Sequence, residues 1–304
     1  MIVVVGESLI DIVMDAGKPK EFVGGGPLNI AVGLARLDQS ALLITQTGHD
    51  DHADLIFEYL HDNEVAVVAS PTTSGRTNTA KATLDGNGVA DYDFDLEWTL
   101  PHQELPRCDV LHVGSLGTVL EPGRASVLDL VDQAWGRDVV VSFDPNLRAQ
   151  FLGSPEQAWR DIEAIGERAT VIKMSSDDVD LVHPGANPAD IARALLEGER
   201  TEMVVITHGP DGAFAYLDGG LEVHAPAPSI RLVDTVGAGD SFMSAMLAIL
   251  MDKEALTSYG PGLPSTAAGV REVISGAATA AAITCSRPGA DPPWRKDLPR
   301  HWPA

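Results

Sequence analysis

Ten residues in the last third of the chain form a pattern that could carry chemistry. Val233–Phe242 reads VDTVGAGDSF, in which Gly237–Gly239 can turn tightly before the helical run Ser241–Leu250. The free N–H groups and the positive dipole end of that helix make the turn a site for an anion. Asp240 falls in the first helical turn, where a carboxylate is stabilised and stays ionised. This pattern suits phosphoryl transfer, because the amides stabilise developing charge and the carboxylate accepts a hydroxyl proton.

A short glycine motif also has an ordinary explanation, which is a helix start with an acidic residue in its first turn. Two better-known nucleotide motifs are absent from the sequence. No Lys-Ser/Thr pair follows the glycines, so the segment is not a Walker-type loop. The G-x-G-x-x-G spacing of dinucleotide-binding proteins is also missing after the first predicted strand, which argues against a nicotinamide oxidoreductase.

The elements that must position this segment read as a parallel α/β sheet. Ile2–Val5 is a continuous apolar run, typical of a strand buried on both faces. After Pro101, apolar runs alternate with helical stretches, which indicates βαβ units. The later runs are Val110–Val113, Val139–Phe143, Val171–Met174 and Val204–Thr207. Ligands of such sheets bind at the C-terminal strand ends, so polar residues just after the runs are candidates.

Three candidates follow these predicted strands: Arg148, Asp178 and the segment Thr207–Gly212. Each also has an ordinary alternative. The arginine could be a solvated residue at a capped helix start. Asp178 could complete a helix N-cap with Ser175, and the glycine-containing segment could be a plain hairpin turn.

A small β structure is predicted before this alternation begins. Asn78–Leu84 and Val89–Phe94 alternate in polarity, and Asp85–Gly88 between them is a strong turn signal. Alternation along the second strand places Tyr92 and Phe94 on one face and acidic residues on the other. We therefore predict a β-hairpin with one apolar face.

Composition and charge limit the expected partners. The chain has 304 residues and a formal net charge of −23, which disfavours nucleic acids and anionic membranes. No apolar run is long enough to span a bilayer, and the N-terminus lacks the basic region of a signal peptide. Cys108 and Cys285 give neither a disulfide framework nor a metal-ligand spacing. A cytoplasmic enzyme is therefore expected.

Three strings resemble signatures of one family, the ribokinase-like (PfkB) carbohydrate kinases. VDTVGAGDSF is similar to the family's C-terminal signature, with Val236 where threonine is more usual. GGGPLNIAVGLARL, at Gly24–Leu37, resembles the N-terminal signature, and GESLID resembles the opening of bacterial fructokinases. The resemblance implies an α/β, ribokinase-like fold with a mostly parallel central sheet flanked by helices. It further implies one kinase domain over residues 1–304, with a small β-sheet lid built from segments near 9–23 and 76–98.

The resemblance also implies catalytic and sugar-binding roles. Asp240 matches the catalytic base of the family, and its anion hole is matched by Gly237, Ala238 and Gly239. The sugar is expected to contact Asp11, Gly25, Asn29 and Arg148. Asp11 keeps an ordinary alternative as a surface residue at a strand end.

Nucleotide and ion sites are implied in the same way. The nucleotide is expected to contact Thr207, Gly209, Gly212 and Ala278. Asp178 matches an acid that places Mg²⁺ through water, although it is shorter than the glutamate usual there. Asp234, with the loop Arg287–Ala290, matches a site for a monovalent cation such as K⁺.

The predicted function is ATP-dependent phosphorylation of a primary hydroxyl on a neutral sugar, with fructose as the expected substrate. Within the family, 2-keto-3-deoxygluconate kinase, ribokinase and nucleoside kinase are the alternatives. A non-catalytic sugar or nucleotide sensor on the same fold is an alternative of another class. The expected cofactors are ATP and Mg²⁺, with K⁺ as a further ion. The expected partners are small molecules, with neither nucleic acid nor membrane, and a homodimer is compatible with this reading.

Overall fold

The computed structural model describes residues 1–15, 18–84, 90–257, 260 and 262–303. The predicted turn Asp85–Gly88 and the adjoining Val89 lie outside the described residues. The strands of the described part are β1 (Ile2–Val5), β2 (Leu9–Asp15), β3 (Lys18–Gly24), β4 (Ala41–Thr47), β5 (Ala66–Pro71), β6 (Thr79–Leu84), β7 (Ala90–Asp95), β8 (Val110–Gly114), β9 (Val140–Asp144), β10 (Val171–Ser175), β11 (Met203–Thr207), β12 (Ala213–Leu217) and β13 (Glu222–Ala225). Its α-helices are α1 (Gly26–Arg36), α2 (Asp51–Asp62), α3 (Gly123–Gly136), α4 (Pro155–Gly166), α5 (Ser176–Val182), α6 (Pro188–Leu195), α7 (Ala238–Asp252) and α8 (Ala267–Cys285).

A central sheet contains nine of these strands, in the order β13-β12-β11-β10-β9-β8-β1-β4-β5. All neighbours from β11 to β5 are parallel, whereas β12 and β13 continue the sheet antiparallel. The first strand lies between β8 and β4, and its four side chains are fully buried. This burial explains why β1 is an uninterrupted apolar run. The predicted mostly parallel α/β sheet is therefore confirmed.

Helices cover both faces of the central sheet. On one face, α1, α2, α7 and α8 pack with Ile2 and Val4 of β1. On the other face, α3, α4, α5 and α6 pack with Val3 and Val5. Because successive side chains of a strand point to opposite faces, one short strand contributes to both hydrophobic cores.

The two small-residue helices α7 and α8 lie in close contact. A Cβ atom added to Gly276 of α8 would lie 2.7 Å from Cδ1 of Ile249 in α7. A larger side chain would force the helices apart, so the alanine- and glycine-rich sequence is explained by packing. This packing fixes the start of α7, where the GAGD motif lies.

A second, smaller sheet has the strand order β3-β2-β6-β7. Strand β2 pairs antiparallel with β3 and parallel with β6, and β6 pairs antiparallel with β7. The predicted antiparallel pairing of the two hairpin segments is confirmed for β6 and β7, and the structure places Ala80 opposite Phe94. The side chain of Tyr92 lies outside the described part.

The apolar stretch before the GAGD motif is a loop. Residues 226–237 form neither helix nor strand, and the side chains of Leu232 and Val233 are 61% and 53% exposed. Hydrophobicity alone therefore does not mark a buried strand at this position. Within the described ranges, none of the helices is both long enough and apolar enough to span a membrane.

Candidate active site

A cleft of about 730 Å³ lies between the C-terminal ends of the parallel strands and the small sheet. Segments that are far apart in sequence meet there, as the topology of a parallel sheet requires. Ten of the predicted site residues line this cleft: Asp11, Gly25, Asn29, Arg148, Asp178, Thr207, Gly209, Gly237, Gly239 and Asp240. The structure thus brings most of the predicted sugar, nucleotide and catalytic residues together.

Four predicted residues do not line the cleft, and each has a local structural role: Ala238, Gly212, Ala278 and Asp234. Ala278 is buried within α8. Gly212 ends the turn between β11 and β12, with φ at 94°, and an added Cβ would lie 2.1 Å from the Ala225 carbonyl oxygen. Asp234 accepts backbone hydrogen bonds from Val236 and Gly289.

The turn that begins α7 is built around Gly237. This residue has φ at 74°, and a Cβ atom on it would lie 2.6 Å from Cβ of Ala290. The Ala238 N–H donates to the Thr235 carbonyl oxygen at 3.2 Å, so this amide already has an acceptor. The amides of Gly239 and Asp240 belong to the first helical turn, where no intrahelical acceptor is within reach. They are therefore the donors best suited to an anion.

Asp240 is buried at the base of the cleft and is hydrogen-bonded to Asn29. The Asn29 side-chain amide donates to Asp240 Oδ2 at 2.9 Å. Burial raises the pKa of Asp240 above its ordinary value, while Asn29, Lys173 and Arg148 act in the opposite direction. The expectation that the helix start alone keeps this group ionised therefore omitted the opposing effect of burial.

Asp11 lies beside the cleft on β2. Burial raises its pKa to about 6, Arg148 lowers it, and the nearby Asp240 raises it. The carboxylate is therefore close enough to both residues to be affected by their charges. Gly25, which lines the same cleft, has φ at 110°, and an added Cβ would lie 2.7 Å from the Glu7 carbonyl oxygen.

Arg148 stands at the rim of the cleft, after β9. Its Nη1 donates to Asn146 Oδ1 at 2.8 Å and to the Leu147 carbonyl oxygen at 3.0 Å. The side chain is exposed and precedes a short 3₁₀ turn at Ala149–Phe151, which it does not cap through its side chain. Arg148 is thus held near the acidic groups and remains accessible to a ligand.

The Thr207–Gly212 segment is the loop of the β11–β12 hairpin, so the hairpin alternative describes its backbone correctly. Thr207, His208, Gly209 and Pro210 nevertheless line the cleft. The two alternatives are therefore compatible, because a hairpin turn at the end of β11 faces the same cleft as the α7 turn.

The alternative of a helix N-cap at Ser175 is confirmed. The Ser175 hydroxyl accepts from the Asp178 N–H, and Asp178 Oδ2 accepts from the Ser175 N–H at 2.8 Å and from its hydroxyl at 2.7 Å. Asp178 Oδ1 accepts from the Leu147 N–H at 2.7 Å. These three accepted hydrogen bonds leave the Asp178 carboxylate little capacity for direct metal ligation.

Asp234 holds two loops together. Its Oδ1 accepts from the Val236 N–H at 3.1 Å, and its Oδ2 accepts from the Gly289 N–H at 2.8 Å. The Cys285 carbonyl oxygen accepts from the N–H groups of both Val233 and Asp234. These loops therefore carry oxygen atoms near one another, although several are already engaged. In the described part of the chain, no group of three or more His, Cys, Asp or Glu side chains could hold a metal ion.

Sequence reasoning missed two buried groups that line the cleft. Glu7 is 3% exposed, its pKa is raised by burial to about 7, and its Oε2 accepts from the Gly117 N–H at 3.1 Å. Lys173 is 3% exposed and forms an ion pair with Asp144 at 2.9 Å. A glutamate just after the first buried strand and a lysine within an apolar strand were the available signals, because a buried charged group requires a partner.

The chain belongs to the pfkB family of carbohydrate kinases, whose model matches residues 1–297. The predicted class, an ATP-dependent carbohydrate kinase of the ribokinase-like family, is thereby confirmed. Probable fructokinase-7 of Arabidopsis thaliana is 30% identical over 312 residues, which cover 96% of this chain and 89% of that protein. Fructokinase-1 of Oryza sativa subsp. japonica is 29% identical over 311 residues, with coverage of 96% and 94%.

Solved structures support the fold. An uncharacterised sugar kinase from Pyrococcus horikoshii, solved in complex with ATP, has a TM-score of 0.81 at 23% identity and covers 100% of this chain and 98% of its own. A fructokinase from Vibrio cholerae, solved with fructose, ADP and a calcium ion, has a TM-score of 0.79 at 23% identity, with coverage of 95% and 94%. Together these similarities establish the ribokinase-like architecture of the chain.

Proposed function

We propose that this kinase is a fructokinase, which transfers the γ-phosphoryl group of ATP to a primary hydroxyl of fructose. The observation that carries the proposal is the position of Asp240. Its buried carboxylate lies at the N-terminal turn of α7, is bonded to Asn29, and shares one cleft with Asp11 and the loop after β11. Relatives named fructokinase, about 30% identical over nearly the whole chain, support fructose as the sugar.

Within this proposal, the sugar lies between the small sheet and the start of α1. Asp11 accepts hydrogen bonds from sugar hydroxyls, and Asn29 and the backbone of Gly25 add further polar contacts. Ala80 and Phe94 line the same end of the cleft and contact the C–H groups of the sugar. The small sheet acts as a lid built from segments near 9–23 and 76–98, attached to a single kinase domain over residues 1–304.

The phosphoryl transfer then takes place at the α7 turn. The hydroxyl oxygen bonds to the γ-phosphorus, its proton passes to Asp240, and the bond from the γ-phosphorus to the bridging oxygen breaks, so that ADP leaves with the electron pair. Burial makes Asp240 a stronger base, because it raises the pKa of this carboxylate. The Gly237–Gly239 turn provides amides for the phosphoryl oxygens, although the Ala238 amide already has the Thr235 carbonyl oxygen as its acceptor.

Within this proposal, the nucleotide binds at the other end of the cleft. Thr207 and Gly209 border it, Gly212 shapes their loop, and Ala278 lies on the side where α8 packs. Asp178 would contact the water shell of an Mg²⁺ ion bound with ATP, and that ion would neutralise phosphate charge. K⁺ is proposed to bind where Asp234 joins the two loops. The cytoplasmic location, the homodimer and the lack of nucleic acid partners stay predictions.

A coupled assay for ADP release tests the proposal, with fructose, ribose and 2-keto-3-deoxygluconate at saturating MgATP. Fructose should give the highest kcat/KM. A higher value for 2-keto-3-deoxygluconate would favour the second candidate, a sugar-acid kinase. The observation that supports this candidate is the exposed Arg148 at the cleft, because a guanidinium binds carboxylate groups well. Binding of sugar and ATP without ADP release in any mixture would contradict catalysis and favour the sensor.

A further inference from the structure

A buried ion pair lies directly beneath the α7 turn. Lys173 on β10 and Asp144 on β9 are joined by a bond of 2.9 Å from Nζ to Oδ2, and their side chains are 4% and 2% exposed. Strands β9 and β10 are paired in parallel, and this pair follows the register match of Phe143 with Ile172. The two charges therefore lie in the middle of the central sheet, at the end that faces the cleft.

The ammonium group of Lys173 points toward the motif and not into the apolar core. A Cβ atom built on Gly239 would lie 3.0 Å from Lys173 Nζ, so the lysine reaches the backbone of the GAGD turn. Lys173 also lines the cleft together with Gly237, Gly239 and Asp240. An anion bound to the first-turn amides of α7 would therefore meet this positive charge.

The lysine has donors left for such an anion. An ammonium group carries three N–H donors, and Asp144 is the acceptor recorded for it among the described residues. Burial disfavours its charged form, but Asp144, Asp178 and Asp240 together raise the pKa of Lys173 above its ordinary value. These carboxylates thus favour the charged form of the lysine, in a position that is shielded from water, where electrostatic effects are large.

A purely structural role explains this arrangement less well. Buried ion pairs contribute little net stability, and well-packed apolar residues of similar volume often replace them without loss. Asp144 Oδ1 is buried without a hydrogen-bond partner in the described part of the chain, so the pair is not optimised for stability. A charge kept at the cleft despite this cost indicates a function there.

We propose that Lys173 is a catalytic residue of the kinase, whose ammonium donates a hydrogen bond to an oxygen of the transferring phosphoryl group. Asp144 acts as a positioning residue that holds this ammonium beneath Gly239. The proposal rests on the placement of the phosphoryl group at the α7 turn under Proposed function. Lys173 takes no proton from the sugar: that proton passes to Asp240, and the electron pair of the broken bond leaves with ADP.

The main test changes both residues of the ion pair, so that an effect of the lost ammonium on kcat can be distinguished from an effect on folding. In the double variant Lys173→Met/Asp144→Asn neither charge of the buried pair is left without its partner, so the melting temperature should stay close to that of the wild type. Its kcat should fall about a hundredfold or more, the usual effect of losing one donor to a developing charge, while sugar KM and ATP affinity change far less. A folded double variant that keeps kcat within about tenfold of the wild type would overturn the inference.

A second measurement uses the wild-type protein and does not depend on how the variants fold. The ¹⁵N-lysine NMR signal of the buried ammonium should shift when MgADP, aluminium fluoride and fructose are added together, because this mixture mimics the planar phosphoryl group. Fructose alone should leave it in place. If the mixture raises the melting temperature but the ammonium signal does not move, Lys173 does not contact the phosphoryl group.

Failure of the inference about Lys173 can be distinguished from failure of the proposed function. Retained turnover in Asp240→Asn would remove the proposed base and leave the Lys173 result to be read separately. Loss of turnover in Asp240→Asn together with full turnover in the Lys173→Met/Asp144→Asn variant would overturn only the inference about Lys173.

Discussion

The Asp11 carboxylate occupies the space where a side chain on Gly24 would lie. A Cβ atom built on Gly24 would be 2.2 Å from Asp11 Oδ2 and 3.1 Å from its Cγ. The two residues are on the adjacent antiparallel strands β2 and β3. The first glycine of the GGG sequence is therefore explained by the acid beside it, because only the absence of a Cβ lets Asp11 adopt this position.

Gly24→Ala should displace the Asp11 carboxylate and weaken productive sugar binding. We expect kcat/KM for the sugar to fall about tenfold or more, as hydrogen bonds to a charged acceptor are lost, while the KM for ATP stays nearly unchanged. Steady-state kinetics with each substrate varied in turn would measure both values.

Gly136→Ala is a matched control, because nothing lies within 4 Å of a Cβ atom added at that position. It should keep wild-type kinetics. Asp11→Ala should reproduce the effect of Gly24→Ala on the sugar. A normal sugar kcat/KM in both Gly24→Ala and Asp11→Ala would show that this carboxylate does not contact the substrate.

Asp240→Asn should lower kcat by at least about a hundredfold, the low end of general-base effects, with little change in ATP affinity. The reason is that an amide in this position cannot accept the hydroxyl proton. Asp252→Asn, at the opposite end of α7, is the control, because its partner Arg295 is at the surface. Near wild-type turnover in Asp240→Asn would exclude this residue as the base.

Local sequence patterns were sufficient for the scaffold of this site. The apolar runs of β1 and β8 to β11 predict a parallel sheet, and polar residues after those strands reach one cleft because parallel strands end at the same edge. The motif around Asp240 predicts a helix start, and α7 begins at Ala238. These features depend on short-range periodicity, which a sequence displays directly.

Contacts between elements that are far apart in the sequence could not be predicted in the same way. Lys173 and Asp144 are 29 residues apart, and their pairing depends on the register of β9 with β10. The Asn29–Asp240 bond spans 211 residues and depends on how α1 packs against α7. The pKa of Asp240 depends on burial and on a hydrogen bond that both come from these tertiary contacts. The position of Asp240 at a helix start therefore predicts only part of its pKa shift.

The Glu7 carboxyl group should make stability depend on pH. Its pKa is raised from 4.5 to about 7 by burial, so between these values the folded state binds the proton that the unfolded state has lost. The contribution of Glu7 to the free energy of unfolding is therefore greatest at low pH. It decreases as the pH rises toward 7, by about 3 kcal/mol at most. In Glu7→Gln that pH-dependent loss should be absent.

The measurement is urea unfolding of both proteins at pH 5 and pH 8. The stability of Glu7→Gln relative to the wild type should be greater at pH 8 than at pH 5, because the ionised buried carboxylate is then avoided. An equal difference at both pH values would show that Glu7 titrates as it does in the unfolded chain.

Activity should rise in K⁺ over a large inert cation at equal ionic strength, and Asp234→Asn should reduce this response. Asp234 joins the amides of Val236 and Gly289, and Ala290 of the second loop packs against Gly237. An asparagine keeps one acceptor oxygen, so one bridge is lost and an ion at these loops binds less tightly. Equal rates in both salts for the wild type would contradict the presence of an activating cation site.

The last prediction is that the preferred substrate is a neutral sugar without a phosphate or an acid group. Ala80 and Phe94 are paired on β6 and β7, and both line the cleft. The ring of Phe94 packs edge-to-face on Phe151 with centroids 5.3 Å apart, which fixes an apolar surface there. Lys81 is exposed and alternates with Ala80, so its side chain is on the other face of the small sheet. Such a surface suits the C–H groups of a neutral sugar.

Arg148 is the residue that could reverse this preference, because a guanidinium recognises carboxylate and phosphate groups well. The test compares kcat/KM for fructose, ribose, fructose 6-phosphate and 2-keto-3-deoxygluconate at saturating MgATP, in the wild type and in Arg148→Met. Both neutral sugars should exceed both charged compounds in the wild type, and Arg148→Met should lower all values without changing their order. A charged compound that exceeds fructose and ribose in the wild type, and loses this advantage in Arg148→Met, would contradict the prediction and identify Arg148 as an anion clamp.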